Sequence, residues 1–340
     1  MLLTLEPSAN VRDIQGRLRG LGLWTEVLTS GDTAAIKVCQ RSPPVDPDVL
    51  RRVPGVAAVF EQTSPHPRVD KQANCAARIA GRTLGIDIQL IAGPCSAEDE
   101  SQVHAAAGIA ARHGAAMLRG GAFKPRTSPY SFAGRGQEAL GWLRDAADDH
   151  ELLLVTEVMS ERHVESVARV ADMLQVGSRN MQNFALLRAI GQAKLPVMLK
   201  RGRAATLDEW LQAGEHLLHA GSETVVFCER GVAGVDASTR NMIDLGGVAM
   251  LKHTFGQPVI VDPSHAAGRR DLVAPLVRAA LAVGADAVMV ECHPDPSVAL
   301  SDGAQALDNA AMSSVGDAVA KHRPPPRRRT GQEPHLAAVC

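Results

Sequence analysis

Short apolar runs recur eight times between residues 89 and 293, each followed by polar residues and, in most cases, by an amphipathic segment. The runs are QLIAG (89–93), AMLRGG (116–121), LLLVTEV (152–158), MLQVGS (173–178), PVMLKRG (196–202), TVVFCER (224–230), PVIVDPSH (258–265) and AVMVECH (287–293). The segments between them carry helical spacing. The pattern predicts a helix over 208–220, where Thr206 and Glu209 form a T-x-x-E capping box and Leu211, His216 and Leu218 fall in the following turns. Leu272 to Val283 reads as another helix, leading into Gly284. Strand and helix alternating eight times at this length predict a TIM (β/α)8 barrel over 89–321. An open doubly wound sheet is the runner-up, but it usually carries a Gly-rich phosphate loop after its first strand, and the chain has neither GxGxxG nor GxxxxGK[ST].

Ahead of the barrel, residues 1–64 show a different order. An apolar start (Leu2 to Leu5) precedes an amphipathic stretch from Val11 to Leu21, with Ile14, Leu18 and Leu21 at helical spacing. Strand-like runs follow at Leu23–Leu28 and Ala34–Cys39, separated by Ser30-Gly31-Asp32 turn chemistry. A short helix at Asp46–Arg52 and an apolar run at Val56–Phe60 complete a β-α-β-β-α-β order, which predicts a small ferredoxin-like domain. Residues 65–88 read as linker and pre-barrel strands: Ser64 to Cys75 is polar with two prolines, and 76–88 suits one or two short strands. The Pro- and Arg-rich stretch 322–340 lacks apolar periodicity and reads as a disordered, solvated tail.

Composition narrows the functional classes. The 340 residues carry 36 Lys+Arg against 37 Asp+Glu, so there is no electrostatic reason to expect nucleic acid or a membrane surface as partner. Six cysteines occur singly, with no CxxC, as expected of a reduced cytoplasmic protein. No apolar run reaches transmembrane length, and the start MLLTLEPSANVRD lacks a basic n-region and a long apolar h-region; a soluble, unprocessed chain is expected.

Barrel active sites lie at the carboxyl ends of the strands. Those ends deliver, in order, Cys95, then Arg119 and Lys124, Glu157, Arg179, Lys200, Glu229 and Arg230, His265 and Glu291. One arginine after a strand is usually a solvated loop residue. Five basic residues converging on one mouth imply a small ligand with more than one anionic group. Cys95, His265, Glu291 and the following Asp302 offer a thiolate, an imidazole and two carboxylates, a donor set suited to a borderline divalent ion. Each could instead be structural, and His293 and Cys292 are nearby competitors; alternation along strand eight puts Glu291 and His293 on one face and Cys292 on the other.

Seven motifs in order then carry a resemblance. They are Ile91-Ala-Gly-Pro-Cys-Ser96, Leu118-Arg-Gly-Gly-Ala-Phe-Lys-Pro-Arg-Thr-Ser128, Gly177-Ser-Arg-Asn-Met-Gln-Asn183, Leu199-Lys-Arg-Gly202, Cys228-Glu-Arg-Gly231, Val261-Asp-Pro-Ser-His265, and Val290-Glu-Cys-His-Pro294 with Leu300-Ser-Asp302. The stretch from Gln89 to Leu307 resembles the 3-deoxy-D-arabino-heptulosonate 7-phosphate (DAHP) synthases of the type Iβ kind. The resemblance implies condensation of phosphoenolpyruvate with D-erythrose 4-phosphate, the first step of aromatic amino-acid synthesis. It implies one divalent metal ion (Mn, Fe, Co or Zn) on Cys95, His265, Glu291 and Asp302. Arg119, Lys124, Arg179, Lys200 and Arg230 would hold phosphoenolpyruvate, and Arg126, Thr127 and Ser128 the aldehyde phosphate. Lys124 is the candidate proton donor near the aldehyde oxygen, and His265 a candidate for handling the water. A homo-oligomer, dimer or tetramer, and an aromatic amino-acid effector acting through the small domain are also implied. The chain departs from the family pattern at Ala233–Asp236 and at Arg135. The nearest alternative is 3-deoxy-D-manno-octulosonate 8-phosphate synthase, which uses arabinose 5-phosphate; Lys124-Pro-Arg-Thr127 favours the four-carbon acceptor. A Schiff-base aldolase using Lys200 and a non-catalytic barrel are weaker readings.

Overall fold

The computed structural model describes residues 1–30, 33–39, 42–61, 63–124 and 128–322. They form two compact units, Met1–Pro65 and the chain from His66 onward. In the first unit, β1 (Leu2–Leu5), α1 (Val11–Gly20), β2 (Thr25–Ser30), β3 (Thr33–Val38), α2 (Pro47–Arg51) and β4 (Val56–Phe60) follow the expected order. The antiparallel sheet runs β2-β3-β1-β4, so β3 and β1 pair at its centre and β2 and β4 form its edges. Asn10 and Asp46 cap the two helices with their side chains. Leu3, Ile14, Leu18, Ile36 and Leu50 make a separate core.

The second unit is a closed parallel barrel. Its strands are β7 (Leu90–Gly93), β8 (Met117–Arg119), β9 (Leu153–Glu157), β10 (Met173–Val176), β11 (Val197–Lys200), β12 (Val225–Glu229), β13 (Val259–Val261) and β14 (Ala287–Glu291). Each lies inside one of the eight apolar runs. Both faces are buried, which is why the runs are continuously apolar rather than alternating. Ile91, Met117, Val155, Met173, Met198, Val226, Ile260 and Met289 fill the barrel interior, while Leu118, Leu174, Leu199, Phe227 and Val290 pack outward against the helices. The helix Leu207–Ala220 begins with the Thr206–Glu209 capping box.

The stretch 65–88 holds more structure than its polar composition suggested. Pro67–Gln72 forms a helix, α3, with Val69 fully buried against the barrel core and Glu215 accepting the N–H groups of Arg68 and Val69. The expectation of a plain linker missed it because one buried valine and a cap supplied from 146 residues away leave no local periodicity. The short strands β5 (Arg78–Ile79) and β6 (Arg82–Thr83) form a hairpin, and Ile79, Leu84 and Ile88 plug the amino-terminal end of the barrel interior. The expected tail lies, from residue 323, outside the described residues, as do Pro125, Arg126 and Thr127. Among the described residues no helix is long and apolar enough to cross a membrane.

Candidate active site

Period-two alternation builds the mouth of the barrel. On seven of the eight strands, two residues beyond an inward apolar side chain the same face presents a polar one: Met117 leads to Arg119, Val155 to Glu157, Met173 to Gln175, Met198 to Lys200, Cys228 to Arg230, Ile260 to Asp262 and Met289 to Glu291. Closure places β14 beside β7, with Glu291 opposite Gly93, two residues before Cys95. A Cβ on Gly93 would meet the Arg119 carbonyl oxygen at 2.1 Å, so only glycine lets β8 approach this closely.

Cys95, His265, Glu291 and Asp302 come together here, one ligand atom of each lying within 4.8 Å of the others. Cys95 Sγ is 3.2 Å from Asp302 Oδ2, and His265 Nε2 is 3.4 Å from Glu291 Oε1 and 3.9 Å from Asp302 Oδ2. Ligand atoms about 2.0–2.3 Å from a tetrahedral ion stand roughly 3.3–3.8 Å apart, so these donors fit one divalent ion with small adjustment. His265 is oriented for the task. Asp262 accepts its backbone N–H at 3.0 Å and faces Nδ1 at 2.8 Å, which leaves Nε2 aimed into the cluster. Burial lowers the His265 pKa although Asp262 and Glu291 pull it upward, favouring the neutral imidazole that a metal requires. Burial, then the Glu291 charge, pushes the Cys95 thiol up to about 11, while Lys124 pulls it down. For Asp302, burial opposes the charge, but His265 and Arg240 outweigh it and hold the carboxyl down at about 2.

Beside the cluster is a cavity of about 310 Å³ lined by Arg119, Lys124, Arg179, Lys200 and Arg230 together with Ser128. All five basic residues expected to bind an anion therefore reach one space. Lys124 Nζ donates to Cys95 O at 2.9 Å and lies 3.0 Å from its sulfur. Lys200 Nζ pairs with Asp262 Oδ2 at 2.6 Å, and Arg119 Nη1 with Glu291 Oε1 at 2.9 Å. Arg119 Nε and Arg230 Nη1 are buried without a hydrogen-bond partner among the described residues. Buried guanidinium donors left open beside a cavity are available to an anion. Burial lowers the Arg230 pKa, and the Asp262 charge offsets this only in part.

Other positions moved. Glu229, at a strand end, faces away from the mouth: it accepts from Arg201 at 3.0 Å and from Gly231 N–H at 2.6 Å in a buried structural network. His293 turns toward Glu98 at 3.6 Å and stays outside the ligand set; Cys292 faces the helices, near Ala106 O. Glu157, Gln175 and Arg240 also line the cavity, without having been assigned roles. A Cβ on Gly177 would meet Glu157 Oε1 at 2.0 Å, so a larger residue there would displace the Glu157 carboxylate. Arg240 bonds Asp302 Oδ1 at 3.2 Å from a loop whose ends join through a Val232–Met242 bridge; strand-end logic does not reach it. Arg126 and Thr127 lie outside the described residues.

Fold and site together define a parallel barrel whose mouth brings a cluster of four potential metal donors beside a cavity lined by basic side chains. The chain belongs to the DAHP synthetase I family, whose sequence model matches residues 71–323. It is 47% identical over 219 residues to a phospho-2-dehydro-3-deoxyheptonate aldolase of Thermotoga maritima, a match spanning 64% of this chain and 65% of that relative's length. It is 32% identical over 251 residues to a 2-dehydro-3-deoxyphosphooctonate aldolase of Bordetella petrii, covering 66% of this chain and 87% of that one. A crystal structure of DAHP synthase from Thermotoga maritima superposes with a TM-score of 0.75 at 35% identity, over 94% of this chain and 96% of that one.

Proposed function

We propose that the chain condenses phosphoenolpyruvate with D-erythrose 4-phosphate and water, releasing 3-deoxy-D-arabino-heptulosonate 7-phosphate and inorganic phosphate, at the entry to aromatic amino-acid synthesis in the cytoplasm. One juxtaposition supports this most: the four candidate ligands adjoin a cavity lined by six basic side chains, two of which, Arg119 and Arg230, carry a buried guanidinium nitrogen without a partner among the described residues.

Arg119, Arg179, Lys200 and Arg230 bind the phosphate and carboxylate of the enol and stabilise the charge on departing phosphate. Holding two anionic substrates together otherwise costs Coulomb repulsion, so the same cations serve proximity. Lys124, between the cavity and Cys95, is placed to hand a proton to the aldehyde oxygen as it becomes a hydroxyl. Burial works against the Lys124 charge, yet the Cys95 and Glu291 charges raise its pKa, so the ammonium form is kept. Ser128, with Arg126 and Thr127 before it, holds the aldehyde phosphate at the rim. A divalent ion on Cys95, His265, Glu291 and Asp302, drawn from Mn, Fe, Co or Zn, would supply Lewis-acid stabilisation of the aldehyde oxygen.

The decisive test is acceptor length. Because proline restricts φ, the sequence Lys124-Pro-Arg-Thr127 is the reason to expect a five-carbon acceptor to misplace its aldehyde. We expect kcat/KM for erythrose 4-phosphate to exceed that for arabinose 5-phosphate by at least about tenfold, roughly 1.4 kcal/mol. Equal use of both would favour the octulosonate reading, which the 32% relative keeps in view.

The small domain serves control, with an aromatic amino acid as effector in a dimer or tetramer, and no candidate ligand or basic residue of the mouth lies in it. Each unit has its own core. Deleting residues 1–64 should leave turnover within a few fold of the whole chain and remove any inhibition by tyrosine or phenylalanine. A folded but inactive truncation would contradict this division of labour.

A further inference from the structure

Asp302 differs from the other candidate ligands in its support. Cys95, His265 and Glu291 follow strands within a few residues, but Asp302 stands in the middle of a loop, at a left-handed φ of +51°. Something other than the barrel must fix it. The base of the loop is closed by the Cys292–Leu307 bridge, where His293 N–H donates to Leu307 O and Leu307 N–H to Glu291 O, both at 2.9 Å. Its far side is held by the residues after Cys95. Ser96 and Ser301 share a 2.5 Å hydroxyl hydrogen bond. Leu300 N–H donates to Glu98 Oε1 at 2.8 Å.

The second oxygen of Glu98 faces His293 Nε2 at 3.6 Å. His293 Nδ1 accepts the Asp295 N–H at 3.1 Å, so the ring proton of neutral His293 sits on Nε2 and points at the carboxylate. Glu98 and His293 are 8% and 4% exposed. The backbone of Glu98 is fixed in turn: its N–H donates to Gln102 Oε1 at 3.2 Å and its carbonyl accepts from Arg135 Nε at 2.9 Å. One buried carboxylate thus connects the loop that follows Cys95 to the residue two before Asp302, with His293 Nε2, which has no hydrogen-bond partner among the described residues, 3.6 Å from its other oxygen.

We propose that Glu98 is a positioning residue of the metal site: by accepting the Leu300 N–H beside His293, it sets where the Asp302 carboxylate stands relative to Cys95, His265 and Glu291. It touches neither ion nor substrate. The inference rests on reading the four-donor cluster as a metal site. A buried carboxylate is costly to keep charged, and it is retained where a fixed acceptor is needed on both sides.

The test is titration of the full chain, stripped by chelation, with Mn²⁺ or Zn²⁺ alone, reading the dissociation constant directly. Glu98→Ala is expected to weaken binding by about 10–100-fold, the range for supporting residues one step from a metal. Glu98→Gln keeps an acceptor for Leu300 and should stay within about threefold of the parent. In an Asp302→Ala background, Glu98→Ala should add less than about threefold, because its effect runs through the lost ligand. If Glu98→Ala does not fold, Glu98→Leu, which fills the space without an acceptor, carries the same expectation. Parent-like affinity in a folded Ala or Leu variant, an undiminished loss in the Asp302→Ala background, or a loss beyond about tenfold in Glu98→Gln would overturn the proposal. Failure of the parent to bind metal, or parent-like binding by Cys95→Ala, would instead overturn the metal reading beneath it.

Discussion

Replacing Cys95 by alanine is expected to remove the metal and the turnover together. The sulfur is the one soft donor of the four; without it the site retains an imidazole and two carboxylates, of which Asp302 hangs on a loop. Lewis-acid stabilisation of a developing oxyanion is worth several kcal/mol, and about 4 kcal/mol corresponds to roughly a thousandfold in rate. Phosphate release from phosphoenolpyruvate should therefore fall at least about a thousandfold. Chelation of the parent should produce the same loss, and an added divalent ion should restore the parent but not the variant. The thiol, at about 11 before an ion enters, must shed its proton on binding, so metal affinity should weaken as pH falls. Fold should survive, because the side chain lies at the barrel mouth rather than in the main core clusters. If Cys95 were only a small buried residue, Cys95→Ala would keep both metal and activity. Bound metal and phosphate release measured on one preparation decide the matter.

The barrel was legible because its eight strands are buried on both faces and so spell out eight apolar runs. The candidate ligands were legible for a related reason, since three of them follow those runs directly. What the strand ends also contained, and what went unassigned, were Glu157, Gln175 and Asp262. The same two-residue step that leads from Met117 to Arg119 leads to each of these, so the signal was present in the alternation. Gln175 looks like part of a strand rather than its end, and Asp262 looks like the cap of the helix it does cap. Glu98, Arg240 and helix α3 were hidden for another reason. Their partners, Leu300, Asp302 and Glu215, lie from 62 to 202 residues away, and no local pattern encodes such pairs. Glu229 is a strand-end carboxylate that was given no role, and its burial serves Arg201.

Lys200→Met is expected to damage both stability and substrate binding, which separates it from a purely catalytic change. Lys200 and Asp262 form a 2.6 Å pair with side chains 5% and 1% exposed. Removing one partner of a buried pair leaves the other charge uncompensated, at a cost of about 3–5 kcal/mol. His265 still donates to Asp262 through its backbone and ring, so we expect the lower part of that range. For a domain of this size that is a fall in Tm of roughly 6–12 °C. The pH dependence has a definite sign. Burial opposes the Asp262 charge, but His265 and Lys200 outweigh it and hold the carboxyl well below its usual range. Its contribution to stability is therefore present above the unfolded value of about 3.9 and is lost as pH falls toward the folded value. The gap between parent and variant should be full near neutral pH and narrow in acid, once Asp262 is protonated in both. KM for phosphoenolpyruvate should rise as well, because Lys200 is one of the six Lys and Arg side chains lining the cavity. A Lys200→Met protein with the parent's Tm at neutral pH and an unchanged KM would show that this lysine neither anchors Asp262 nor meets the substrate.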